Sequence, residues 1–184
     1  MQVTPQAFPE VLLVEPKLFR DRRGHFLEIF QGRRYPDYGL PATFVQDNVS
    51  FSRQGVVRAL HYQLRFPQGK LIMALTGEIW DVVVDVRRGS PTFGKWLSVT
   101  LTADPCRQLY VPPGFAHGFA VVSETATVLY KVTDFYRPED ECGIIWNDPD
   151  LAIPWPVADP VLSDKDLNLP RLRELKPEQL PGYR

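Results

Sequence analysis

The 184 residues carry 21 Lys and Arg against 22 Asp and Glu, a formal net charge of −1, and 44% of them are hydrophobic. That length suffices for one domain, residues 1–184, with a sizeable core, and the charge balance excludes any global attraction to nucleic acid or to an anionic membrane. No apolar run approaches the ~20 residues of a membrane helix, and Met1-Gln2-Val3-Thr4-Pro5 shows no charged segment leading into an apolar stretch, so a cytoplasmic chain without a secretory leader is expected.

Eighteen prolines and 12 glycines punctuate the chain, which breaks helices and suits short strands joined by turns. Runs rich in Val, Ile, Leu, Phe, Tyr and Trp predict strands over residues 11–14, 26–30, 44–50, 56–64, 70–76, 79–86, 96–101, 109–111, 119–122 and 128–135. Thr76-Gly77, Arg88-Gly89-Ser90-Pro91 and Ser123-Glu124-Thr125 read as turns between them. About ten short strands at this spacing predict a sandwich or a jelly-roll barrel. Residues 32–38 read as a short helix or turn. In the polar tail after Leu162, Ser163 and Asp164 are candidate helix caps, and residues 172–175 a further helical piece. Trp146, Ile153, Trp155 and Val157 are too apolar for a free arm, so the tail is expected to pack back on the barrel. Cys106 and Cys142 match no zinc or redox spacing and read as reduced thiols.

Two histidine segments stand out. One runs from Gly55-Val56-Val57-Arg58-Ala59-Leu60-His61-Tyr62-Gln63 on to Lys70 and Gly77; the other is Pro113-Gly114-Phe115-Ala116-His117. They resemble the two motifs of the cupin superfamily, in which His-x-His, a Glu and a further His bind a metal. Here Gln63 stands at the second His and Lys70 at the Glu. An ammonium has no lone pair and repels a divalent ion, so no metal and no cofactor are expected. A strand with period two turns His61 and Gln63 to one face and Leu60 and Tyr62 to the other. Arg58 then falls opposite His61 unless a bulge intervenes.

A histidine with an ordinary pKa near ~6.5 suits proton abstraction at neutral pH. A proton removed beside a carbonyl leaves an enolate, which a Lys ammonium stabilises, most strongly where the local dielectric is low. Inversion needs the new proton from the opposite side, and Tyr130 lies on a strand that could face His61. The bland reading of a lone strand histidine is a satisfied core residue; the joint presence of His61, Lys70, His117 and Tyr130 weighs against it.

Nearly the whole chain resembles the dTDP-4-dehydrorhamnose 3,5-epimerase family. The resemblance is carried in order by Arg23-Gly24-His25-Phe26-Leu27-Glu28, Phe44-Val45-Gln46-Asp47-Asn48, residues 55–63, Gln68-Gly69-Lys70, Ser90-Pro91-Thr92-Phe93-Gly94-Lys95-Trp96, residues 113–119, Tyr130-Lys131, Gly143-Ile144-Ile145-Trp146-Asn147-Asp148-Pro149 and Leu162-Ser163-Asp164-Lys165-Asp166. It implies an all-β, cupin-type jelly-roll barrel with short C-terminal helical segments, and a homodimer in which an N-terminal segment contributes to the partner's site. It further implies His61 as proton acceptor, Tyr130 as proton donor, Asp166 as the carboxylate paired with the base, and Lys70 at the enolate. Arg23, Phe26, Glu28, Gln46, Asp47, Asn48, Arg58, His117, Tyr136, Glu141 and Lys165 match substrate-contact positions, with Tyr136 on the thymine ring. The implied substrate is a dTDP-4-keto-6-deoxyhexose, and Arg23 and Arg58 suit its diphosphate.

Read without the resemblance, Arg23 and Glu28 could form a surface pair, Asp47 and Asn48 a turn, Tyr136 plain core and Asp166 a solvated acid; the choice of Asp166 over Asp164 rests on the resemblance. Two departures are mild: His25, where an aromatic is frequent, and Ala59, where Gly is common. Three other activities compete: epimerisation at one carbon only, sugar-nucleotide binding without catalysis, and a metal-dependent cupin reaction.

Overall fold

The computed structural model describes residues 1–183. Among the described residues there are thirteen strands: β1 Gln2–Pro5, β2 Leu12–Glu15, β3 Leu18–Asp21, β4 Gly24–Leu27, β5 Gln46–Arg53, β6 Val57–Gln63, β7 Lys70–Thr76, β8 Glu78–Asp85, β9 Trp96–Thr102, β10 Gln108–Val111, β11 Phe115–Val121, β12 Thr125–Val132 and β13 Glu141–Gly143. One α-helical turn, α1, spans Asp164–Leu167, and short 3-10 turns lie at Tyr35–Tyr38, Pro138–Asp140, Leu172–Glu174 and Pro177–Gln179. The expected turn near residues 32–38 and the tail helices are thus present, and Ser163 is the cap of α1, its hydroxyl accepting from the Asp166 amide at 3.1 Å.

The strands form a six-stranded sheet in the order β1-β2-β10-β7-β12-β5, a five-stranded sheet in the order β13-β6-β11-β8-β9, and a separate two-stranded arm, β3-β4. Neighbours within each sheet run antiparallel. This is the all-β, cupin-type jelly-roll architecture expected.

Three apolar clusters hold it. Val11, Ile72, Ile79, Val83, Leu109, Phe119 and Val128 meet between the two sheets. Residues of the 30–44 segment, among them Tyr35 and Leu40, pack with Leu12, Val14, Leu71 and Tyr110 of the six-stranded sheet. Against the back of the five-stranded sheet lies the C-terminal tail: Leu60, Tyr62, Val82 and Val84 contact Leu151, Ile153, Leu172 and Leu175, with Trp146, Trp155 and Val157 alongside. At roughly 1.5–3 kcal/mol per buried large aliphatic side chain, this seam holds the tail firmly, as its apolar content led one to expect.

Strand limits differ from expectation in places. The 26–30 run is strand only to Leu27, because Glu28 onward turns away to begin the loop before Tyr35. The 119–122 run belongs to β11, which begins at Phe115 and is buried at all seven positions. It is the central strand of the five-stranded sheet and is covered on both faces, by the inter-sheet core at Phe115, Phe119 and Val121 and by the tail cluster at Ala116 and Ala120, so it shows no alternation. His117 therefore sits within a strand.

Most consequential is β6. Val57 and Ala59 face the tail, but so do Leu60 and Tyr62; the alternation slips by one residue between Ala59 and Leu60, where the peptide bond is cis. The ladder with β11 records the same slip, His117 opposing His61 while Phe119 opposes Arg58. Two residues of β6, Ala59 and Leu60, thus face one of β11, Gly118, which is a bulge. Arg58 and His61 consequently share the inward face. Gly118 lies against this irregularity: a Cβ there would stand 2.5 Å from the Ala59 Cβ and 2.7 Å from the Arg58 carbonyl oxygen.

Candidate active site

A cavity of about 660 Å³ opens between the two sheets, within the size range of small-molecule sites. The five-stranded sheet contributes Arg58, His61, His117 and Glu141; the six-stranded sheet contributes Asn48, Ser50, Lys70 and Tyr130; Tyr136, Lys165 and Asp166 come from the connections and the tail. Residues up to 118 apart in sequence are brought together because β5, β6, β7, β11 and β12 each turn one face to this space and α1 reaches it from the tail.

His61 Nε2 lies 2.8 Å from Asp166 Oδ1, with the histidine side chain 23% exposed and the aspartate 5%. Burial opposes ionisation of Asp166, yet hydrogen bonds from His61, the Ala59 backbone N–H and Ser163 hold its carboxyl below the usual range. The aspartate is placed by the first turn of α1, whose cap is Ser163. Such a pair fixes one imidazole nitrogen and the orientation of the ring.

Lys70 opens β7 with its ammonium 3.4 Å from the His61 carbonyl oxygen. Burial pushes its pKa down to about 8, against the pull of Glu141 and Asp81. Tyr130, from the opposite sheet to His61, has its phenol pKa raised by burial; Arg58 opposes this and Glu141 adds to it. Arg58 donates from Nε to Ser52 Oγ at 3.2 Å.

His117 forms a second pair. Its Nε2 lies 2.8 and 3.0 Å from the two oxygens of Asp81. Asp81 is fully buried, which raises its pKa, with His117 and Lys70 pulling the other way. Sequence reading missed Asp81; the available signal was one acid inside the apolar run 79–86.

Glu141 joins the cavity mouth. Its carboxylate accepts from the Tyr136 hydroxyl at 2.5 Å and pairs with the Lys165 ammonium. Burial raises its pKa, but these partners and His61 outweigh that and leave it lowered. The same hydrogen bond, with some burial, pushes Tyr136 up to about 12.

Gln63 lines the cavity, but its amide is fully occupied within the protein. Its amide donates to the Phe66 and Phe135 carbonyls at 2.7 and 3.2 Å and accepts from the Arg137 N–H at 2.7 Å. Among the described residues no group of three His, Cys, Asp or Glu side chains is arranged to hold a metal ion. The Lys70 ammonium and the committed Gln63 amide make a donor set unsuited to one.

Four residues expected at the substrate lie elsewhere, and a fifth stands at the edge of the site. Arg23 and Phe26 sit on the β3-β4 arm, Arg23 paired with Asp21 and Phe26 69% exposed. Glu28 follows that arm and pairs with Arg34. Asp47 falls on the outer face of β5 and pairs with Lys131 at 2.7 Å, because period two sets it opposite Gln46 and Asn48. Gln46 braces the site from its edge, donating to Asn48 Oδ1 at 2.8 Å and accepting from the Tyr136 N–H at 3.0 Å.

The site thus offers a carboxylate-backed imidazole on one wall, a phenol on the other, and an ammonium whose charge can meet a developing oxyanion. That is the equipment for moving a proton beside a ketone. Comparison with known proteins agrees. The dTDP-4-dehydrorhamnose 3,5-epimerase family profile matches residues 5–174. The dTDP-4-dehydrorhamnose 3,5-epimerase of Pseudomonas aeruginosa is 54% identical over 168 residues, covering 90% of this chain and 93% of that protein. A crystal structure of the dTDP-6-deoxy-D-glucose-3,5-epimerase of Legionella pneumophila, in complex with dTDP-4-keto-L-rhamnose, superposes with a TM-score of 0.96 at 47% identity, over 100% of this chain and 98% of that one. A 3'-monoepimerase of Streptomyces bikiniensis, solved with dTDP-quinovose, gives 0.91 at 35% identity, over 97% of this chain and 92% of that one. With this sequence match over nearly its full length and this set of acid–base groups in its barrel, the chain belongs to the dTDP-4-dehydrorhamnose 3,5-epimerase family and is an isomerase.

Proposed function

We propose that this enzyme converts dTDP-4-dehydro-6-deoxy-D-glucose to dTDP-4-dehydro-L-rhamnose, inverting C3 and C5 on either side of the C4 ketone. The observation that carries this is the placement of the His61–Asp166 pair and Tyr130 on opposite walls of one cavity that also holds Lys70. His61 takes the proton from the carbon next to the ketone and becomes imidazolium, which Asp166 stabilises. The electron pair moves onto the ketone oxygen, and Lys70 holds that enolate. Tyr130 returns a proton to the other side of the same carbon, and the tyrosinate is then reprotonated as His61 gives up its proton to solvent. Since C3 and C5 both flank the one carbonyl, a single enolate site serves both steps after the sugar turns or rebinds.

Arg58, Asn48, His117, Tyr136, Glu141 and Lys165 contact the substrate on this reading, Arg58 at the diphosphate and Tyr136 on the thymine. Gln46 acts at the edge of the site. Arg23, Phe26, Glu28 and Asp47 lie outside the cavity of their own chain. We assign Arg23, Phe26 and Glu28 to the site of a second copy in a homodimer. Support comes from the β3-β4 arm, which exposes Phe19 and Phe26, and from the outer face of β5, which exposes Val49 and Phe51. Asp47, on that same outer face, has no route to the substrate within its own chain. The chain works as one domain in the cytoplasm, consistent with its two free cysteines.

Turnover in deuterated water, followed by NMR, tests the reaction: deuterium appears at both C3 and C5 of the inverted product. The second reading is inversion at one carbon, favoured by the close superposition with the 3'-monoepimerase. Stable deuterium at a single centre would decide for it. Sedimentation equilibrium tests the dimer, and a monomer at micromolar concentration removes the assignment of the arm to a partner site.

A further inference from the structure

Tyr136 lies in the loop between β12 and β13 and is 47% exposed, yet the backbone around it is bonded at three successive residues by two glutamine side chains. Gln63 Nε2 donates to the Phe135 carbonyl at 3.2 Å, Gln46 Oε1 accepts from the Tyr136 N–H at 3.0 Å, and Gln63 Oε1 accepts from the Arg137 N–H at 2.7 Å. Gln63 Nε2 also donates to the Phe66 carbonyl at 2.7 Å, and the Arg137 guanidinium stacks on the Phe66 ring, 3.6 Å from its centre. Asp140 closes the same bracket by accepting from the Arg65 and Phe66 N–H groups. Glu141, which takes the Tyr136 hydroxyl, stands opposite Gln63 on the β6–β13 ladder. Tyr136 is thus held at its hydroxyl and along its backbone while about half of the residue stays open.

The proton chemistry leaves Gln63 without a task. A buried amide needs partners for its donors and its acceptor, and these partners are the two residues that flank Tyr136 and the neighbouring loop. Ordering the backbone of one mobile residue costs about tenfold in an equilibrium constant, and a ligand that has to order it on binding loses that factor in affinity. Gln63 removes the cost in the folded protein before any ligand arrives. We infer that Gln63 is a positioning residue for nucleobase recognition, holding Tyr136 in place to stack on the thymine ring. The inference rests on the reading of Tyr136 as the thymine contact and names the side chain that makes the contact rigid. The strand position that carries a metal-binding histidine in metal cupins here serves the base of the substrate.

Gln63→Met keeps the length of the side chain and removes all three of its bonds. Isothermal titration with dTDP and with inorganic pyrophosphate reads the effect on this variant, on Tyr136→Ala and on the double variant. Kd for dTDP rises about tenfold in Gln63→Met. Kd for pyrophosphate, which has no base, stays within twofold of wild type and shows that the variant is folded. In the Tyr136→Ala background the same substitution changes dTDP affinity by less than twofold, because no ring is left to place. Gln63→Glu keeps an acceptor for the Arg137 N–H but lacks the two amide donors; it shows a loss in the same direction and carries the test where Gln63→Met does not fold. Unchanged dTDP affinity, an additive loss in the double variant, or an equal loss of pyrophosphate affinity overturns the inference. Wild-type dTDP affinity in Tyr136→Ala refutes the thymine assignment and Gln63 with it, whereas a loss in Tyr136→Ala with none in the Gln63 variants refutes Gln63 alone.

Discussion

Replacing Asp166 by Asn isolates the contribution of the carboxylate to the base. The shape of the side chain is kept and the charge removed. With His61 Nε2 and Asp166 Oδ1 2.8 Å apart, the centres of charge lie about 4 Å apart once His61 is protonated, and at an effective dielectric of about 20 their attraction is roughly 4 kcal/mol. Aspartate is almost wholly shielded, but His61 is partly open to solvent, so screening reduces this to about 3–4 kcal/mol, or roughly 10²–10³ in rate. That attraction exists only after the proton has moved, so it acts on kcat and leaves KM within a few-fold. The assay is the initial rate of 3,5-inversion by NMR. A second readout is stability against pH. Because the folded carboxyl is held below its unfolded range, its contribution is full above the unfolded pKa and is lost as pH falls through the lower folded value. The wild type is therefore the more stable at neutral pH, and the gap to Asp166→Asn closes in acid. A kcat within threefold of wild type would refute the assignment of Asp166 to the base.

Lys70→Met costs at least about 10² in kcat, yet raises stability at neutral pH because it removes a buried ammonium. The folded pKa of about 8 against 10.5 in the unfolded chain means that the unfolded chain holds the extra proton across that window, so wild-type stability climbs from pH 8 to 10.5 while the variant's does not; calorimetry across that range checks it. The wild-type kcat/KM falls as pH rises through about 8 and Lys70 loses its charge, and a profile flat to well above that pH counts against the enolate role. Tyr130→Phe lowers net inversion by roughly 10²–10³ while solvent deuterium still exchanges into recovered substrate, since His61 remains; loss of exchange together with inversion would remove Tyr130 from the acid role. Gly118→Ala drives a methyl into the Ala59 side chain and the Arg58 carbonyl, and urea unfolding should show a loss of about 1–3 kcal/mol; an unchanged midpoint would mean that the bulge yields easily.

Periodicity made the barrel legible, because most strands have a buried and an open face. It failed where that condition fails. The β3-β4 arm buries neither face, so Leu18–Asp21 carried no strand signal. Strand β11 is buried on both, so its start was hidden by the Pro113-Gly114 turn signal. The His61, Lys70 and His117 positions were visible as residue types in motif order, while Asp166 depended on resemblance, since a polar tail turn gives no sign that its third residue is buried. Arg58 shows what a strict rule gains and loses: period two placed it on the wrong face, and the same rule specified that a bulge would be needed to correct it. That rule applied to Gln46-Asp47-Asn48 would have set Asp47 apart from its neighbours. Asp81 was missed because one acid inside an apolar run is a weak signal by itself; only the third dimension shows that it pairs with His117.

The wrapping of the tail around the five-stranded sheet has a consequence for when the molecule becomes competent. Asp166 reaches His61 across 105 residues of chain, and its segment is held by packing of the tail over Leu60 and Tyr62. A barrel from which that tail is undocked retains the imidazole without the carboxylate that pairs with it. On the proposed role of Asp166, an activity measurement on this protein doubles as a report that the tail is docked on the five-stranded sheet.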